Sequence, residues 1–155
     1  MKVIHLNHSD INGGAARAAY RIHHALRDAG VDSTMWVNVA AAGDWTVEGP
    51  ASKWSKAMGR VRPQVGSLLR KALRTESPII HSSAILHSNW VKRVNASDAD
   101  VVHLHWVQDE MLSIADIGRI EKPIVWTLQD MWAFCGAEHY TEEFRWRKGY
   151  RCDNR

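Results

Sequence analysis

The sequence predicts an α/β fold, a Rossmann-like parallel sheet with helices on both faces, and three observations carry that reading. The chain opens with the apolar run Lys2-Val-Ile-His-Leu6, passes through the glycine-bearing loop Asn7 to Gly14 and enters a helical stretch from Ala15 to Ala29. Two later runs, Val101 to Trp106 and Ile124 to Leu128, are short and bulky, as strands are. Helical patterns lie between these runs, and strands alternating with helices form a parallel sheet covered on both sides.

Each element follows from its residues. Val3, Ile4 and Leu6 suit a strand buried on both faces. Ala15, Ala18, Ala19, Ile22, Ala25, Leu26 and Ala29 recur at steps of three and four and make one apolar stripe, and Gly30 stands where a helix stop is expected. Asp32 to Val39, with Met35, Trp36, Val37 and Val39, predicts a second strand and completes a β-α-β unit, followed by the small-residue loop Ala40 to Asp44. From Ser52 to about Arg74 the apolar positions approximate helical spacing but meet Pro63 and Gly66, which predicts two short helices or one kinked helix. Pro78 to Leu86 reads as a short strand or an extended connection, Asn89 to Ala96 and Ser113 to Ile120 as short helices. Beyond Gln129 the pattern turns irregular and ends in the polar run Thr141 to Arg155.

Composition narrows the classes of function. A chain of 155 residues with 45% hydrophobic and 24% charged residues is expected to form one soluble domain, because no run approaches the roughly eighteen apolar residues of a membrane span. Lys2 leads into only a few apolar positions broken by His5, so no signal peptide is expected and a cytoplasmic location follows. Cys135 and Cys152 form no Cys-x-x-Cys pair and read as reduced thiols. The net charge of +3 is modest, yet Lys53, Lys56, Arg60, Arg62, Arg70, Lys71 and Arg74 fall in a stretch without an acid. That stretch is either a solvated helix face or a surface for an anionic membrane or acceptor. Eight tryptophans spread along the chain argue against an aromatic nucleic-acid platform.

In open parallel sheets, ligands bind outside the carboxyl ends of the strands. This rule selects Asn7 to Gly14, His105-Trp106 and Gln129-Asp130 as three loops on one edge. Gly13 and Gly14 admit a close backbone approach, and the helix that follows them favours anions, although neither the full dinucleotide pattern nor a phosphate-loop lysine is present. Asp98-x-Asp100 would lie at the amino end of its strand, away from that edge, which excludes it as a shared metal-nucleotide site. His103 and His105 are two apart on a strand and share a face; they would permit zinc given a third ligand, none of which is evident. His103 is expected beneath a helix and His105 at the strand exit, in contact with ligand. Asp130, Glu138 and His139 would supply acid-base groups.

Taken together, Asn12-Gly-Gly-Ala-Ala-Arg17, Val102-His-Leu-His-Trp106 and Trp126-Thr-Leu-Gln-Asp-Met-Trp-Ala-Phe-Cys-Gly-Ala-Glu-His-Tyr140 resemble the N-terminal half of family-4 retaining glycosyltransferases, especially bacterial lipopolysaccharide and exopolysaccharide enzymes. The resemblance implies half of a GT-B fold, with residues 1–155 as the acceptor-side domain and the C-terminal nucleotide-sugar domain absent. It implies hexose transfer from a nucleotide sugar to a glycan or lipid-linked acceptor, with retention, at the inner face of the cell membrane, and it requires neither metal nor cofactor. By position, Gly13, Gly14 and Arg17 would meet the donor phosphate and His105 and Trp106 would line the cleft. Asp130 would be the catalytic-site aspartate, and Glu138 and His139 would belong to an acceptor loop. Gln129 departs from the family's histidine; it keeps hydrogen bonding but cannot share a proton near neutrality. The alternative is a free-standing flavodoxin-like binding or regulatory module.

Overall fold

The structure, a computed structural model, describes residues 1–50, 52–72, 79–141 and 147. Five parallel strands form one sheet in the order β3-β2-β1-β4-β5. They are β1 (Lys2–Ser9), β2 (Asp32–Val39), β3 (Val47–Glu48), β4 (Val101–Leu104) and β5 (Ile124–Trp126). The helices are α1 (Gly14–Asp28), α2 (Lys53–Ala72), α3 (Trp90–Asn95) and α4 (Ile114–Ile117). This is the α/β Rossmann-like sheet that the sequence predicts. Among the described residues, no helix is long and apolar enough to cross a membrane.

Side chains alternate across a strand, so the sheet carries a core on each face. Ile4 and Leu6 join Trp36, Val102, Leu104, Met111 and Leu112 on one face, with Val94 of α3 packed there. On the other face Met35 and Val37 meet Ala19 of α1. The small stripe of α1 lets it lie close on β1 and β2, with Ala16 and Ala19 buried. The helix stops at Gly30, whose φ of 81° no Cβ obstructs; Val31 N–H reaches back to Leu26 O at 2.9 Å, the bond that closes a left-handed cap. His23 fastens the same helix, sharing hydrogen bonds of 2.8 Å with the hydroxyls of Ser33 and Thr46. Burial, aided by neighbouring His24 and Arg27, lowers its pKa to about 4, so it stays neutral.

The structure chooses between some sequence expectations and corrects others. Pro63 does not divide the helix: α2 is a single helix from Lys53 to Ala72, and residue 59, whose carbonyl loses its donor to the proline, is a glycine. Strand β3, two residues long, has no signal in the sequence. Strand β5 is not buried; it is the edge, with Ile124 40% and Val125 51% exposed. Residues 79–86 form the extended connection rather than a strand, touching Glu138 through one antiparallel bridge from His81. Pro78, Cys152 and the polar run from residue 142 lie outside the described residues, Arg147 excepted.

Two carboxylates tie helices to loops. Asp44 accepts from Tyr20 Oη, Thr46 N–H and the Thr46 hydroxyl, and bonds His24 Nε2. Asp116 accepts from Ser113 and Ser88 N–H, in a capping box that starts α4, and pairs with His87. Burial alone would raise both pKa values, but the surrounding donors outweigh it and hold them below the ordinary carboxylate range. A depressed pKa stabilises the fold above the unfolded value near ~3.9 and loses that contribution as pH falls through the folded value. Stability is therefore expected to drop on acidification below about pH 4, and to drop less in an Asp44→Asn variant. Urea midpoints measured across acidic pH check this; parallel pH curves for variant and native chain would overturn it.

Candidate functional site

The carboxyl ends of β1, β4 and β5 are joined by a hydrogen-bonded network. Asn7 Oδ1 accepts the N–H of Trp106 at 2.8 Å, and His8 N–H reaches Trp106 O at 2.9 Å. The Trp106 indole then donates to Asp130 Oδ2 at 2.9 Å and stands edge-on to the His8 ring at 5.7 Å. Parallel strands share this edge, and so residues about a hundred positions apart in sequence meet there.

Asp130 is the hub. Its Oδ2 also takes His139 Nδ1 at 2.7 Å, while Oδ1 accepts Trp132 N–H at 3.0 Å and lies 3.4 Å from Gln108 Nε2. With Nδ1 protonated toward Asp130, His139 Nε2 is left to accept the Ser82 hydroxyl at 2.7 Å. Ser82, His139 and Asp130 thus form a serine-histidine-aspartate chain. Ser82 is only 2% exposed and its backbone accepts the Trp132 indole, so the chain fastens residues 79–82 to the loop after β5. The sequence named Asp130 and His139; Ser82 was missed, because nothing local marks a serine whose partner lies 57 positions away.

Gly13, Gly14 and Arg17 share the edge but sit toward β2. Gly13, at φ 96° and ψ 173°, is the N-cap of α1 without a capping side chain, and a Cβ on either glycine would meet nothing within 4 Å. The first turn carries no acid and Arg17 is exposed beside it. Free N–H groups, helix dipole and guanidinium make this end receptive to an anion. Asp10, fully buried, fixes the loop by accepting from Ile11, Ala41 and Ala42 N–H.

Other predicted residues lie elsewhere than expected. His105 does not line an open cleft: it is 1% exposed, beneath Gln129, whose amide nitrogen is 3.5 Å from His105 Nδ1. His103 bonds Thr127 Oγ1 at 2.7 Å. The third histidine that the sequence did not reveal is His5, the cross-strand partner of His103. Glu138 is buried, 3.7 Å from His81 Nε2. Asp98 and Asp100, by contrast, lie where the sequence predicts, at the opposite end of the sheet, where Asp98 pairs with Lys2 Nζ at 2.8 Å and Asp100 accepts Lys2 N–H. In the basic stretch, Lys56 is exposed, but Arg62 turns inward and donates to the carbonyls of Glu110, His87 and Leu86. The side chains of Lys53, Arg60, Arg70, Lys71 and Arg74 lie outside the described ones.

A cavity of about 340 Å³ opens on the other face of the sheet, between α2 and α3, lined by Asn38, Met58, Arg62, His87, Trp90 and Arg93. It contains none of the edge residues. Its cations are already engaged, Arg62 by three carbonyls and Arg93 by Glu48 and the face of Trp36 at 4.0 Å, so the convergent polar network at the strand ends is the stronger site. No family model, no curated protein and no solved structure matches the chain.

Proposed function

We propose that the chain is the acceptor-side domain of a retaining sugar transferase, which works with a second, donor-binding domain to move a hexose from a nucleotide sugar to a cell-surface glycan or lipid-linked acceptor. The observation that carries this reading is the joining of the carboxyl end of β1 to the loops after β4 and β5 through Asn7, Trp106 and Asp130, on the edge that also carries the uncapped α1 N-terminus. The leaving diphosphate would take the N–H groups at Gly13 and Gly14 and the charge of Arg17, and this electrostatic support needs no metal. Trp106 and the loop carrying Glu138 and His139 would shape the acceptor side, while Asp130 keeps both in register. The exposed face of α2 would rest on the anionic inner surface of the membrane.

A binding module without catalysis is favoured by one observation: the Asp130 carboxylate is occupied by its donors, as an organising group would be. Transfer assays with nucleotide sugars and lipid-linked acceptors separate the readings. The transferase reading expects no turnover by this chain alone, since binding energy for the donor would come from the other half. It expects turnover with a retained anomeric centre from a longer chain carrying a second Rossmann-like domain. Turnover by the single domain at an enzymatic rate, or inversion at the sugar, would sink it; an inert longer chain would favour the module.

A further inference from the structure

We infer that His5, His103 and His105 form a binding site for one divalent transition-metal ion of the zinc class, fastening β1 to β4 beneath the carboxyl edge of the sheet. The inference is independent of the transferase reading and concerns residues that reading does not use for chemistry.

Topology builds the trio. His5 and His103 are register partners on adjacent parallel strands, and His105, two residues on, returns to the same face. One ring nitrogen from each lies within 4.8 Å of the others. The His103 and His105 rings stack at 4.1 Å between centroids, and His5 Nδ1 is 2.9 Å from His105 Nε2. A tetrahedral ion with Zn–N bonds of about 2.0–2.1 Å sets its nitrogens about 3.3 Å apart. The 2.9 Å between His5 Nδ1 and His105 Nε2 and the 4.8 Å limit for the trio bracket that spacing.

Packing alone does not account for the three rings. They occupy a sheet face where Met35 and Val37 serve the same layer on the neighbouring strand, and they are 0, 9 and 1% exposed. His5 Nε2 has no partner among the described residues, so moving the ring's proton there to free Nδ1 for a metal breaks no bond at Nε2.

Ligation would replace the N–H···N bond between His5 and His105. The proton on the shared side moves to the other nitrogen of the same ring, so both facing nitrogens present lone pairs and no net proton is lost. If that ring is His105, its Nδ1 becomes the donor, and the amide of Gln129, turned over, offers its oxygen. Thr127 already fixes His103 through Nε2, as outer partners of ligating histidines do. An all-imidazole set with no thiolate or carboxylate in the group favours zinc, copper or nickel over magnesium or calcium.

The test uses the full chain, stripped with chelator and titrated with Co²⁺ and then Zn²⁺. One Co²⁺ per chain is expected, giving ligand-field absorption without thiolate bands, displaced by Zn²⁺, and Zn²⁺ is expected to raise the Tm. His103→Gln should abolish stoichiometric binding. Thr127→Ala should weaken it by roughly tenfold to a hundredfold. A His24→Gln, His87→Gln double variant, which removes two histidines outside the cluster, should bind as the native chain does. Near-UV circular dichroism verifies folding, and if His103→Gln does not fold, Thr127→Ala decides. Absence of saturable one-to-one binding, loss of binding in the double variant, or unchanged affinity in Thr127→Ala would overturn the site.

Discussion

Replacing Glu110 with alanine is expected to destabilise the fold by about 4 kcal/mol, enough to unfold much of the population at ordinary temperature. Glu110 is 1% exposed, and its carboxylate accepts the Ser83 hydroxyl and the N–H groups of Ala84, Ile85 and Leu86. Truncation strands those donors and opens a void beneath α2, where a Cβ on Gly66 would come within 2.8 Å of Glu110 Cγ. Asp109, Glu110 and Ala84 all have positive φ, at 54°, 58° and 48°, conformations that side-chain-bearing residues hold only when their surroundings enforce them. The clamp therefore stores strain as well as bonds. Glu110→Gln, which keeps one acceptor oxygen, should lose less. Urea unfolding of the three proteins is the measurement, and a loss below about 1 kcal/mol for the alanine variant would mean that the clamp is incidental.

The second large effect is expected at Asp130. In the two-domain transferase proposed above, Asp130→Ala should lower turnover roughly a hundredfold, the scale attached to a misplacement of about 1 Å at a reacting centre. The carboxylate links the Trp106 indole to the His139 ring, and without it the Ser82 to His139 bond loses its fixed tautomer. Asp130→Asn is a sharper probe, because an amide nitrogen turned toward Trp106 Nε1 and His139 Nδ1 meets donors with a donor. Native turnover in both variants would remove Asp130 from the proposed site, whatever their stability.

The sequence made the central strands legible for a physical reason. β1 and β2 are flanked by a glycine-bearing loop and by Gly30, and their bulky residues answer to burial on both faces. At β5 the same composition misleads, since Ile124 and Val125 are as apolar as buried strands are but lie on an edge face where exposure depends on what covers it. Of the site, the strand-end rule picked out Trp106, Gln129 and Asp130. It could not find His5, whose place beside His103 depends on the pairing register of strands far apart in the chain. Glu110 was missed because Gln108-Asp-Glu110 has the composition of a solvated turn, and its burial comes from α2 closing over it.

The central position of β1 also governs the order in which the molecule can be made. Its pairing with β2 is available as soon as Val39 has been synthesised, but its other neighbour begins at Val101, about sixty residues later. At roughly 5–20 residues per second, the ribosome takes several seconds to cover that interval. Throughout it, one side of the innermost strand carries an open backbone ladder and Ile4 and Leu6 lack the Val102 and Leu104 that finally cover them. A chain whose first strand is its middle strand thus commits to its core late, and that interval is when a nascent-chain chaperone or an intruding β-strand would compete for it.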